Sequence, residues 1–173
     1  ETLRTLAAGH DATLQSVKNF AEAPDPRLES PLDVAANVTA ASDAALKILD
    51  SILAVNSANS AMLGCELQDI RAWAFLGRYF GLKLQGAVSY VRFRLHGKGS
   101  DGDAAVTALT EALAEWQKLA AEMAGPASCV RDTFLLGDVD MGKGADGGFA
   151  PRTFSWGNFT AAAREDIAIA RAA

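Results

Sequence analysis

Several groupings in this 173-residue chain carry side chains capable of chemistry, and each lacks a part that the chemistry requires. Gly142-x-Gly144-x-x-Gly147 spells a dinucleotide-binding string, but that motif works only between a strand and a helix whose N-terminus faces the pyrophosphate. Pro151 follows and glycine recurs on both sides, so the string fits an irregular loop. Asp138-Val139-Asp140 resembles the opening of a calcium loop but lacks its third side-chain ligand, the glycine at the sixth place and the closing glutamate. Gly97-Lys98 and Gly142-Lys143 lack the spacing of a phosphate loop.

The two histidines, His10 and His96, have no second ligand at helical spacing. A histidine metal centre or di-iron bundle site is therefore not expected, and no cofactor is called for. His10 falls on an apolar helical seam as a hydrogen-bonded core histidine, and His96 falls at a helix end that the dipole favours. Cys65 and Cys129 form no CxxC; they read as two buried thiols, with a single bridge as the alternative. No nucleophile is placed beside a base, so no catalytic residue is assigned.

Charge narrows the partners. With 16 basic and 21 acidic residues the net charge is −5, and no basic stripe invites a phosphate backbone, which argues against nucleic acid. Every apolar stretch is interrupted short of the roughly 18 residues that a membrane span needs. Glu1 with no leader before it fits a mature chain or a piece of a longer one.

The elements that would position any site are helical. Leu3, Leu6, Ala7, His10, Leu14, Val17 and Ala21 share one face of a first helix ending at Ala23-Pro24-Asp25-Pro26. Ser30 as N-cap, Pro31 at the first helical position and Asp33 in the first turn start a second, with Ala35, Val38, Ser42, Ala45, Leu49 and Ile52 on its seam. A polar connector at 56–60 leads to a third helix from about Ala61 to Leu95. Its expected seam is Leu63, Ile70, Ala74, Gly77, Leu84, Val88, Val91 and Leu95, and it would reach roughly 50 Å unless Gly81 or Gly86 bends it. A fourth helix, capped by Ser100 or Asp101, carries Val106, Leu109, Leu113, Trp116, Ala120 and Met123 and closes at Gly125-Pro126. Asn158 is the expected cap of a last helix from Phe159 to Ala172, with Ala162, Ile167 and Ile169 available for burial.

These elements predict a single all-α domain over 1–173. It comprises an antiparallel four-helix bundle (1–125), a glycine-rich irregular excursion (126–157) and a C-terminal docking helix (158–173). The third helix concentrates Trp73, Phe75, Tyr79, Phe80, Tyr90 and Phe93 with Arg71, Arg78, Lys83, Arg92 and Arg94. Burial on several sides, with cationic stems over rings, accounts for most of this; a partner-docking or sugar-stacking surface is the functional alternative. Gly77 and Gly81 permit close approach of another helix, and Asp69 and Arg71 are candidates to pair with the tail. The sequons at Asn37 and Asn158 fall in helical pattern and read as chance.

Three stretches, Ser30-Pro31-Leu32-Asp33-Val34-Ala35, Leu67 through Phe80 (LQDIRAWAFLGRYF) and Asp166-Ile167-Ala168-Ile169-Ala170-Arg171, together resemble the helical domain of some large bacterial glycoside hydrolases, over about residues 30–173. Such a module follows a catalytic (β/α) barrel acting on polysaccharide. The resemblance implies a non-catalytic accessory domain, periplasmic or extracellular, whose partner is the catalytic domain of the same polypeptide. In that setting Trp156, Phe154 and Arg152 in the irregular tail are the candidate polysaccharide contacts, because loops present binding groups over a rigid scaffold. Two other readings are a ligand-sensing helical bundle of a bacterial receptor and a free-standing helical interaction protein.

Overall fold

The computed structural model describes residues 14–55, 63–124, 142–143, 149–150 and 155–173. Among them are α1 (Val17–Glu22), α2 (Pro31–Val55), α3 (Gly64–His96), α4 (Gly99–Ala124) and α5 (Thr160–Arg171). A short 3₁₀ turn, Trp156–Phe159, leads into α5. The protein is an all-α bundle.

α3 is the central element, with α2 on one side and α4 on another, while α5 and the 3₁₀ turn lie on α4 and α1 lies on α3. Gly77 of α3 faces Ser42 of α2, and Gly81 faces Ala35 and Thr39, so the residue numbers run in opposite directions and the pair is antiparallel. A Cβ at Gly77 would overlap Ser42 Oγ, and one at Gly81 would stand 2.9 Å from the Ala35 carbonyl oxygen. The two glycines thus let the α2 and α3 backbones approach, as their spacing predicts. Gly86 does the same toward α4, where a methyl would meet Leu109 Cγ at 2.8 Å. α3 runs unbroken through both Gly81 and Gly86.

Ser30 and Asp33 start α2 reciprocally. The Asp33 backbone N–H donates to Ser30 Oγ (3.1 Å), while Ser30 N–H and Oγ–H donate to Asp33 Oδ2 (3.1 and 2.7 Å). Those two donors, hydroxyl foremost, hold the Asp33 carboxyl below its usual range. Between α3 and α4 only Gly97 and Lys98 are non-helical. Gly97 takes φ +67°, where a Cβ would be strained, and its N–H closes α3 on Phe93 O at 2.8 Å.

Several expectations are corrected. The first helix does not run through Leu14: Ser16 caps α1, and Leu14 forms a parallel bridge with Glu29. Gln15 is the reason. Its backbone N–H donates to Glu29 O, its Nε2 donates to Ala23 O (2.8 Å), and its Oε1 accepts from Asp25 N–H (3.1 Å). These tertiary bonds outweigh helix continuation. Residues 1–13, with His10, and the connector at 56–60 lie outside the described residues. Leu63, which precedes α3, and Ile70 and Leu95 on it are exposed rather than on a seam, and Leu67, Gln68 and Ala72 are buried instead. A helix with neighbours on several sides has no single seam. On α5, Ala163, Ile167 and Ala170 are buried, while Ala162 and Ile169 face out. Asn158 sits inside the 3₁₀ turn, its N–H on Ser155 O, and supplies no side-chain cap to α5.

Cys65 is disulfide-bonded and exposed rather than a buried thiol. The sequence holds one other cysteine, Cys129, which lies outside the described residues. Gly142–Lys143 pairs antiparallel with Phe149–Ala150, so the dinucleotide-like string opens in a strand pair, not at a helix N-terminus.

Candidate functional site

Two neighbouring regions hold the aromatic and charged side chains. The first is filled. Trp116 of α4 packs with Ala72 of α3, Leu119 and Ala163 of α5 in one buried cluster, joined by Phe75, Leu76, Tyr79 and Trp156. Tyr79 leans on Trp116 at a centroid distance of 4.9 Å, and Trp156 meets Trp116 edge-on at 5.5 Å. Alongside, Ala105, Leu109, Ile167 and Ala170 form a second cluster. α5 therefore contributes Ala163, Ile167 and Ala170, at i, i+4 and i+7, to the two clusters.

Lys83 fastens this arrangement. Its ammonium reaches Asp166 of α5 at 2.7 Å and Tyr79 Oη at 3.1 Å. Burial pulls the ammonium down, but hydrogen bonds to Asp166 and Tyr79, with their charges, outweigh it and hold the group above its ordinary value. Arg71, expected to meet the tail, instead pairs with Glu122 of α4 at 2.7 Å. Cationic side chains over rings recur as predicted, with Arg92 5.2 Å from the Phe20 centroid.

Arg78 ties three helices. It binds Asp43 of α2 at 2.6 Å and stands 3.9 Å from Glu115 of α4, whose other oxygen holds Lys118 at 2.5 Å. Glu115 is buried, and its charge is enclosed by two cations, so it has the geometry of a structural carboxylate. Among the described residues no three His, Cys, Asp or Glu side chains gather to hold a metal ion, and no helix is long and apolar enough to cross a membrane.

The second region is open. Trp73 is 72% exposed and Ile48 59%, with Ile70 and Phe80 also exposed. On α3, Asp69, Trp73, Leu76, Phe80 and Lys83 follow the four-three spacing of one helical stripe. Lys83 holds α5 and Leu76 touches the Trp116 cluster, whereas Trp73 on the same stripe is exposed. Arg78 leaves the α2–α3 seam to meet Asp43, and helical spacing puts Ile48 on another flank of α2 from Asp43. On α5, Ala162, Asp166 and Ile169 fall on one flank by helical spacing; Asp166 reaches Lys83, while Ala162 and Ile169 are exposed.

Of the three tail residues singled out from sequence, Trp156 is half-buried against Trp116, while Phe154 and Arg152 lie outside the described residues. The surface that sequence reasoning did not fix is the Trp73 opening. Its signal was an aromatic set encircling α3, of which Trp73 is the most exposed member. No family model, no curated protein and no solved structure matches the chain.

Proposed function

We propose that the chain is a non-catalytic helical accessory domain of a secreted carbohydrate-active enzyme, supporting a catalytic barrel of the same polypeptide. One observation carries this reading: Trp73, Ile70 and Phe80 of α3 and Ile48 of α2 are exposed apolar side chains that a domain working alone gains nothing by exposing. The surface is suited to docking, and Lys83 and Arg78 of the same helix are tied into ion pairs with Asp166 and Asp43. The disulfide at Cys65 supports an oxidising compartment, periplasmic or extracellular. Polysaccharide contact would fall to the Trp156 end of the molecule, with Phe154 and Arg152.

Reading the open reading frame on both sides of the chain tests the assignment. A barrel-type strand–helix repeat in the same frame is expected, and Trp73→Ala in that whole polypeptide should lower the melting temperature of the barrel. A frame without a catalytic domain sinks the reading. For the sugar contact, a polysaccharide pull-down in which Trp156→Ala, still folded by circular dichroism, binds as well as the parent removes that part.

A further inference from the structure

The α3–α4 pair is held differently at its two poles. At the corner, Gly97 and Lys98 join the helices and Phe93 lies against Gly102. At the opposite pole α3 starts and α4 ends, and side chains make the join. Gln68 Nε2 of α3 donates to Glu122 O (2.8 Å), and Arg71 pairs with the Glu122 carboxylate (2.7 Å). Glu122 O is one of the last four carbonyls of α4, which have no partner within their own helix, so Gln68 caps α4 from the side.

α3 itself starts without such help. Ser30 and Asp33 cap α2 reciprocally, whereas α3 follows the exposed Leu63, which makes no side-chain cap hydrogen bond among the described residues. A first turn of this kind frays readily. Cys65 lies in that turn and is disulfide-bonded. The sequence's other cysteine, Cys129, follows Ala124, the last residue of α4, by a short stretch, and the antiparallel pairing sets the end of α4 beside the start of α3.

We infer that Cys65 and Cys129 form one bridge within the chain, and that this bridge is a thiol-reducible clamp on the open pole of the α3–α4 hairpin. Closed, it holds the uncapped turn of α3 in place. Cys65 is exposed, so a thiolate of a dithiol reductant reaches its sulfur. That attack breaks the S–S bond, and Cys129 leaves as a thiolate and takes a proton. The reductant's second thiol then displaces Cys65 and closes the reductant's own disulfide, so two electrons pass to the protein and two thiols remain. The first turn of α3 unwinds, Gln68 withdraws from Glu122 O, and the end of α4 loses its cap. Opening stops where Ala72 and Leu119 enter the Trp116 cluster. The clamp involves neither a barrel nor a sugar, so it stands or falls apart from the accessory-domain reading.

The test starts from the full chain, digested without reduction. Mass spectrometry is expected to find a peptide pair joined through Cys65 and Cys129. Hydrogen exchange is then followed with and without dithiothreitol, in the absence of denaturant. Reduction should speed exchange about tenfold or more at Glu66–Ala72 and Leu119–Ala124, and less than about twofold across Val88–Leu109. Cys65→Ser and Cys129→Ser should each show the fast pattern whether or not the reductant is present. If neither variant folds, dithiothreitol on the parent carries the test. A bridge between two copies overturns the proposal, as does one that opens only in denaturant. Exchange that rises equally at both poles, or at neither, also overturns it.

Discussion

The two grooves flanking α3 are built on the same central helix and yet solve opposite problems. Toward α4 the interface is aromatic and charged: Tyr79, Trp116 and Trp156 fill volume, and α5 with Lys83–Asp166 closes it from water. Toward α2 the contact is made by small groups, Gly77 and Gly81 against Ala35, Thr39 and Ser42, so the backbones come close and large side chains are displaced to the flank. Trp116 is 8% exposed and Trp73 72%, on adjacent helices of one bundle. Aromatic content therefore does not locate a core; what lies opposite the ring does.

The largest expected effect comes from the filled side. Trp116→Ala removes a buried ring with two aromatic neighbours and should cost roughly 3–5 kcal/mol, read as a lower urea midpoint with unchanged slope. Next is the close contact on the other side. Gly81→Leu cannot fit beside the Ala35 carbonyl and should cost roughly 1–3 kcal/mol or more by pushing α2 away. If its melt matches the parent's, the glycines do not set the approach.

The Lys83 latch sharpens the contrast through pH. Its folded value lies above the unfolded 10.5, so its contribution is fully present below pH 10.5 and is lost as pH rises through the folded value. α5 should loosen in that alkaline window, seen as faster hydrogen exchange along Thr160–Arg171, and Lys83→Met should remove the pH-dependent step. The smallest effect is the most telling: Trp73→Ala in the chain alone should change stability by no more than about 0.5 kcal/mol. A loss near that of Trp116→Ala would mean that the ring is already part of the fold.

Much of this architecture was readable from residue types. Ser30, Pro31 and Asp33 mark the start of α2 because capping chemistry is local, and Gly77 with Gly81 announces a close crossing because nothing else fits there. The misreadings share a cause. Periodicity assumes one buried face, so it puts Leu63, Ile70 and Leu95 on a seam, whereas the helix is packed on several sides and all three are exposed. Leu14 fits a helical repeat, but Gln15 spends its donors and acceptor on Ala23, Asp25 and Glu29, contacts invisible to spacing. Ala162 and Ile169 are apolar and helical, yet only the position of Asp166 against Lys83 decides which α5 flank turns outward. For the same reason the aromatic surplus of α3 was legible, while the exposure of Trp73 was not.

The Gly97–Lys98 corner has a kinetic consequence. Because two residues join α3 to α4, contacts near the corner, such as Phe93 against Gly102, close short stretches of chain and cost little loop entropy. The α3–α4 hairpin is therefore the expected folding nucleus, and the low sequence separation at its corner favours rapid formation. During synthesis α2 waits for α3 to be made, but the surface that receives α5 is complete before α5 emerges. The last helix thus folds onto a finished template.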